Sequence, residues 1–559
     1  MTSLHDHLYR ATGSTSTALQ PSQDECRPLL QAHTRYGSLK DVNESSGGDD
    51  QSVNEITGEA FDKVPKSKRT LGLASATSLI FNRVIATGVF AAPSLILRSS
   101  GSVGMTFVMW ILGALVAATG TAVYVELGTG LPRSGGEKTY MEHIYQRPKF
   151  LITCMCAAFG IFLGSLSAAG RVFSEYTLQA LDIVPTPFNL RITAVSCLTF
   201  AMVVHGVFLN WGLRVQNALG LFKFLVIILI SFSGLFVLAG VPGFEVRPEY
   251  EKPNNYTWGT FWEGTNLDLN AFVTGMYNAI WSFVGYSNAN YAMSEIRDPV
   301  RTIRIAAPLS MLFVTFAYLS MNIAYYAVVA KDDMLNSSSV AAALLFRNLY
   351  GPEAARVISA IIALSTLGSV LAIIFTMARF IQEIGREGVL PFSSFFASNK
   401  PFGAPFATLF TQWFIATITI MITPPGDAYL FVVNLSSYPL TIYNTLVSGG
   451  LLLLYTPAYK SFGWNPPFRA YKSATIFFFV SNVFLLLVPY VPPAPGHGVY
   501  KNLPYWSHLA VALGIGGVGI AYWFVCFYWI PKRRGYRLEQ VEVMQEDGVS
   551  RNILKKVPL

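Results

Sequence analysis

Apolar runs of membrane-crossing length recur along this 559-residue chain, and they limit its fold more than any other feature. Phe222–Val241 reads FKFLVIILISFSGLFVLAGV, and Ile111–Val125 reads ILGALVAATGTAVYV. Both are continuous rather than amphipathic. A run of about 20 apolar residues spans a hydrocarbon core of about 30 Å. A helix satisfies its own backbone groups in lipid, where water cannot. Charged residues make up only 13% of the chain, against about 25% in a soluble domain. The chain is therefore expected to be an all-α integral membrane protein with much of its surface facing lipid.

Hydropathy predicts about twelve spans. They run Leu71–Arg98, Val103–Leu131, Phe150–Leu181, Ile192–Leu209, Leu213–Val241 and Leu267–Glu295, then Ile303–Ala330, Ala354–Ile384, Pro405–Thr423, Tyr429–Leu454, Ala474–Tyr490 and Trp506–Ile530. Residues 1–68 contain STSTALQPSQDE and NESSGGDDQS, a polar composition expected of a disordered tail. Residues 69–530 form the transmembrane domain and residues 531–559 a second tail. No cleavable signal peptide is expected, so the first span would act as an uncleaved insertion signal.

The formal net charge of +8 sits on loops that flank the spans, and no basic-aromatic nucleic-acid motif accompanies it. Lys63, Lys66, Lys68 and Arg69 precede span one. Arg133, Lys138, Arg147 and Lys149 follow span two, and Lys532, Arg533 and Arg534 follow span twelve. Alternate loops are poorer by roughly three to one, which predicts that both termini are cytosolic. Two sequons, at Asn255 and Asn336, fall in loops this topology places outside. The five cysteines are too scattered for a disulfide framework, and the seven histidines form no ligand cluster. No metal or other cofactor is expected.

Span one contains NRVIATGVFAAP, Asn82–Pro93. Arg83 lies about twelve residues into the span, roughly 18 Å along a helix, too deep for easy snorkelling. Thr87-Gly88 gives the backbone freedom at that depth. Gly is also common in ordinary membrane helices, where it permits close packing. Span six carries a comparable interruption, with Gly285 among Ser282, Ser287, Asn288 and Asn290. If five spans are repeated in inverted order, spans one and six correspond, and paired interruptions at corresponding positions point to a transporter's binding site. A broken helix exposes free N–H groups at one end and free C=O groups at the other. Amides suit a carboxylate and carbonyls suit an ammonium, so such a site fits a zwitterionic amino acid.

Four stretches carry a family resemblance: ATGVFAAP in span one, VYVELGTGLPRSGGEKTYM after span two, IWSFVGYSNANYAMSEIRDP in span six and FTMARFIQEIGREGVLP at the end of span eight. They resemble the amino acid–polyamine–organocation superfamily, its L-type branch, and within that the fungal high-affinity methionine permeases. The resemblance runs from about Leu71 to Ile530. It implies a LeuT-type fold with a five-plus-five inverted repeat, and import of a neutral L-amino acid, methionine favoured, by alternating access. Ile85, Ala86, Thr87 and Gly88 match the segment whose amides hold the substrate carboxylate. Trp281, Ser282 and Phe283 match the segment whose carbonyls take the ammonium, with Trp281 at the gating aromatic. Gly285 and Tyr286 match the side-chain region. Most relatives have glycine where this chain has Ala86, whose methyl narrows the carboxylate pocket. The rings of Trp281, Phe283 and Tyr286 would suit a thioether, and also leucine or phenylalanine.

Lys223 stands about ten residues, or roughly 15 Å, into span five. Burial disfavours the charged form of a lysine, so it could exchange a proton during transport. It matches the family lysine that replaces a sodium ion. It reads equally as a fixed cation held against helix-end carbonyls. Arg171 and Glu175, one turn apart, read as a snorkelling salt pair. Glu126, Arg379, Glu383 and Glu295 read as interfacial anchors. Through the same resemblance, the N-terminal tail with Lys40, Lys63 and Lys66 would meet the ubiquitin machinery, and the protein would sit in the plasma membrane.

No H-E-x-x-H or G-x-S-x-G sequence supports a membrane enzyme. An amino acid exchanger or a nutrient-sensing relative of the same fold remains the alternative. A major-facilitator carrier also has about twelve spans, but its site does not depend on broken first and sixth helices.

Overall fold

The computed structural model describes residues 72–558, apart from 86–87, 133–134, 164–165, 292, 294–295, 337–339, 425, 494–498 and 545–549. The N-terminal tail, residues 1–68, lies outside the described residues, as do Ala86, Thr87 and Glu295. Every expected span has a helical counterpart. Eight helices among the described residues are long and apolar enough by length and composition to cross a membrane. Phe406–Ile422 is a shorter apolar helix. Ala428–Leu454 supplies span ten. Among the described residues the helices of spans one and six stop partway, and span three is divided into Leu151–Phe162 and Leu166–Ala180.

Local chemistry sets the helix starts. Ser102 accepts from Met105 N at 3.2 Å before the 28-residue helix Val103–Gly130. Thr186, followed by Pro187, accepts from Asn189 N at 3.2 Å before Pro187–Val207. Asp268 accepts from Ala271 N at 2.9 Å and opens Leu269–Phe283 in span six. In each case a short polar side chain takes one of the first N–H groups that the helix itself cannot satisfy. Span eight is the longest helix, Pro352–Arg386, with 35 residues. At 1.5 Å per residue it extends about 52 Å, so it projects well beyond the hydrocarbon core.

Several expected surface groups turn out to be interior. Glu126 is not an interfacial anchor. It is 0% exposed and accepts from Tyr455 Oη, from Trp464 Nε1 at 3.2 Å and from Ala470 N at 2.8 Å. The loop after span ten folds back over the end of span two, and the carboxylate supplies that loop with acceptors. Arg171 and Glu175 do pair, at 3.0 Å, but they are largely buried rather than snorkelling. Leu190, Arg191, Thr419 and Thr423 close around the same small cavity as Arg171. Asn255 is only 5% exposed, and its amide donates to the Tyr326 and Val329 carbonyls at 2.8 Å each. It ties a loop to the end of span seven and presents no free amide for a glycan, whereas Asn336 is exposed.

The C-terminal segment extends span twelve and supplies two strands. Span twelve continues as helix to Arg534. Strand β1, Tyr536–Met544, then pairs antiparallel with β2, Ser550–Pro558, in a register that sets Val541 opposite Ile553.

Candidate functional site

In span one the helix Leu73–Val84 ends when Ile85 N–H donates to Phe81 O at 2.9 Å. Ile85, at φ −73° and ψ 83°, leaves the helical region. Helix resumes at Gly88 and runs to Ser100. In span six the helix ends at Phe283 and Val284 is extended, at φ −60° and ψ 127°. Gly285 adopts φ 126°, which glycine alone tolerates readily. A short 3₁₀ turn follows at Asn288–Tyr291.

The two breaks interlock. A Cβ added to Gly88 would lie 2.6 Å from Ser282 Oγ and 2.8 Å from Ser282 Cα. A Cβ added to Gly285 would lie 2.8 Å from Arg83 Cγ and 3.2 Å from Val84 N. The glycine of each break thus lies against the stump of the other span. The N-terminal amides of the helix starting at Gly88 come beside the C-terminal carbonyls of the helix ending at Phe283. Helix ends leave such groups without intrahelical partners, and they carry the partial charges of the helix dipole. Donor and acceptor helix ends thus meet where the two breaks interlock.

Two other spans brace the breaks. Lys223 of span five, 2% exposed, donates from Nζ to Ile85 O at 3.1 Å. Tyr318 of span seven has its hydroxyl 2.9 Å from Val84 O and 2.7 Å from Ser282 O. Its one proton is shared between a carbonyl at the end of each stump. Ser282 Oγ donates within its own helix, to Asn278 O at 2.9 Å.

The aromatic residues divide into two groups. The Phe283 ring is buried, with centroids 6.0 Å from Trp110 and 5.0 Å from Tyr318. The Phe283 ring thus forms part of the wall behind the break. Tyr286 stacks edge-on to Tyr124 at 5.6 Å, and both hydroxyls reach Asn444 Oδ1, at 3.4 and 3.0 Å. Trp281 is half-buried. Sequence reasoning brought out Ile85, Gly88, Trp281, Ser282, Phe283, Gly285, Tyr286 and Lys223, and the fold gathers these around the two breaks. It missed Tyr318, Trp110 and Asn444. A tyrosine inside an apolar run reads as core, and nothing local reveals a partner 234 residues away. Among the described residues no group of His, Cys, Asp and Glu could hold a metal ion.

Interlocked breaks in a bundle of about twelve membrane helices define an integral membrane permease. The chain belongs to the amino acid permease family, whose model matches residues 71–515. It is 42% identical over 522 residues to a high-affinity methionine permease of Saccharomyces cerevisiae, covering 93% of this chain and 90% of that one. It is 27% identical over 525 residues to a low-affinity methionine permease of the same yeast, covering 92% and 93%. It is 26% identical over 470 residues to the human b(0,+)-type amino acid transporter 1, covering 84% and 90%.

Proposed function

We propose that this permease imports a neutral L-amino acid, methionine foremost, by alternating access. The interlocked ends at Gly88 and Ser282 carry this reading. Their amides would take the carboxylate and their carbonyls the ammonium, leaving selectivity to the side-chain region at Trp281 and Tyr286. Ala86 and Thr87 would complete the carboxylate side. The two yeast methionine permeases support methionine as the substrate. The basic loops favour a cytosolic position for the face bearing Lys138 and Arg534, in a plasma-membrane protein.

Coupling to protons would run through Lys223. When the halves of span one separate, the ammonium loses Ile85 O and must find water or lose its proton. The test is uptake of labelled L-methionine into proteoliposomes with and without an inward proton gradient, with leucine and phenylalanine as competitors. Wild type should accumulate methionine above equilibrium only with the gradient, and Lys223→Met should be indifferent to pH. Gradient-independent one-for-one counterflow would establish an exchanger instead. Binding without flux would establish a sensor.

A further inference from the structure

The C-terminal hairpin packs against the exit of span eight, which polar contacts link to span six. Gln540 Nε2 donates to Glu387 O at 3.1 Å. Gly388, at φ 75°, lies so close to Asn552 O that any side chain there would run into the β2 backbone. Glu387 follows directly on span eight, and its carboxylate pairs with Lys138 Nζ. Lys138 sits on the loop helix Glu137–Ile144 and also pairs with Glu142, at 2.9 Å. Thr153 at the start of span three donates its hydroxyl to the same Glu142. The neighbouring residue, Glu137, is buried and accepts from Ser287 Oγ at 3.0 Å and from Tyr291 Oη. Those two hydroxyls stand at the far side of the span-six break. Gly136 lies flat against the Tyr291 ring, leaving 2.9 Å for a Cβ.

We propose that the C-terminal hairpin is a strut for the inner gate: it seats Glu387 on Lys138 and so holds Glu137 on Ser287 and Tyr291. Lys138 and Glu387 are then positioning residues for transport, and Glu137 is the clamp on the moving half of span six. The gating role rests on the alternating-access reading above. The geometry favours this ordering because Glu137 and Lys138 are adjacent in one short helix, so tilting that helix moves both. Burial alone would lower the Lys138 pKa, but Glu387 and Glu142 outweigh it and carry the group above the ordinary lysine value. Lys138 therefore persists as an ammonium.

The test uses Ala289→Cys, a position 0% exposed beside the clamp, in a background with Cys26 and Cys526 replaced by serine. The readout is the rate of labelling by a membrane-impermeant maleimide from the face bearing the hairpin. Deleting residues 535–559 should raise that rate at least fivefold, and Lys138→Met should do the same. The two combined should raise it no further, because both act through one chain of interactions. Should the truncated protein fail to fold, Gly388→Ala in the full chain displaces the hairpin and should reproduce the increase. Full-length labelling rates in the truncated or Gly388→Ala protein would overturn the proposal, as would effects that multiply. Labelling needs no substrate, so a chain that fails to carry amino acids would sink the transport reading and leave the strut independently tested.

Discussion

Replacing Gly88 with alanine tests the interlock at its tightest point. The new methyl carbon would sit 2.6 Å from Ser282 Oγ, 2.8 Å from Ser282 Cα and 3.0 Å from Ser282 Cβ, where ordinary van der Waals separation begins at 3.4 Å. The Oγ can rotate away, but the Cα belongs to the helix backbone and cannot. The halves must therefore part by roughly 0.6–1 Å, and overpacking of this kind costs about 1–3 kcal/mol. Activity should suffer more than stability, because displacing reacting or binding groups by about 1 Å can cost about 10²-fold. Uptake of labelled methionine by Gly88→Ala in proteoliposomes should fall to a few per cent of wild type, while the purified protein stays monodisperse. Gly72→Ala is the control, since nothing lies within 4 Å of a Cβ there. Adding Ser282→Gly to Gly88→Ala relieves the clash with the serine side chain but leaves the clash with the backbone, so partial recovery is expected. Wild-type uptake and KM in Gly88→Ala would refute the idea that these helix ends are held in register around a ligand.

Tyr318→Phe removes the proton shared by Val84 O and Ser282 O and leaves two buried carbonyls without it. A loss of about 1–3 kcal/mol in stability, with a raised KM for uptake, is expected from denaturation and transport assays, and an unchanged KM would count against the bridge. Asn255→Ala should destabilise by a similar amount, and endoglycosidase treatment of the wild type should show no glycan lost on replacing Asn255, because both amide hydrogens are already used.

The apolar runs, the alternation of basic loops and the glycines at 88 and 285 were sufficient to read a helical membrane protein with two interrupted spans. These are local properties: a helix in lipid needs length and hydropathy, and a break needs a residue free of a Cβ clash. Which groups meet at the breaks is a different kind of fact. Tyr318 reaches Ser282 across 36 positions and Lys223 reaches Ile85 across 138, and neither pairing leaves a periodic or compositional trace. Glu126 and Asn255 mislead for the same reason, since a polar residue near a span end looks alike whether water or a folded-back loop covers it. The hairpin at Tyr536–Pro558 looks like any polar tail until Gly388 provides a place for its backbone to land. Sequence alone determined where the chain must cross lipid and where it could not remain helical, because those follow from hydropathy and backbone freedom. The tertiary structure decided which stumps, hydroxyls and charges share a volume, because burial and hydrogen bonding are settled by neighbours that arrive from elsewhere in the chain.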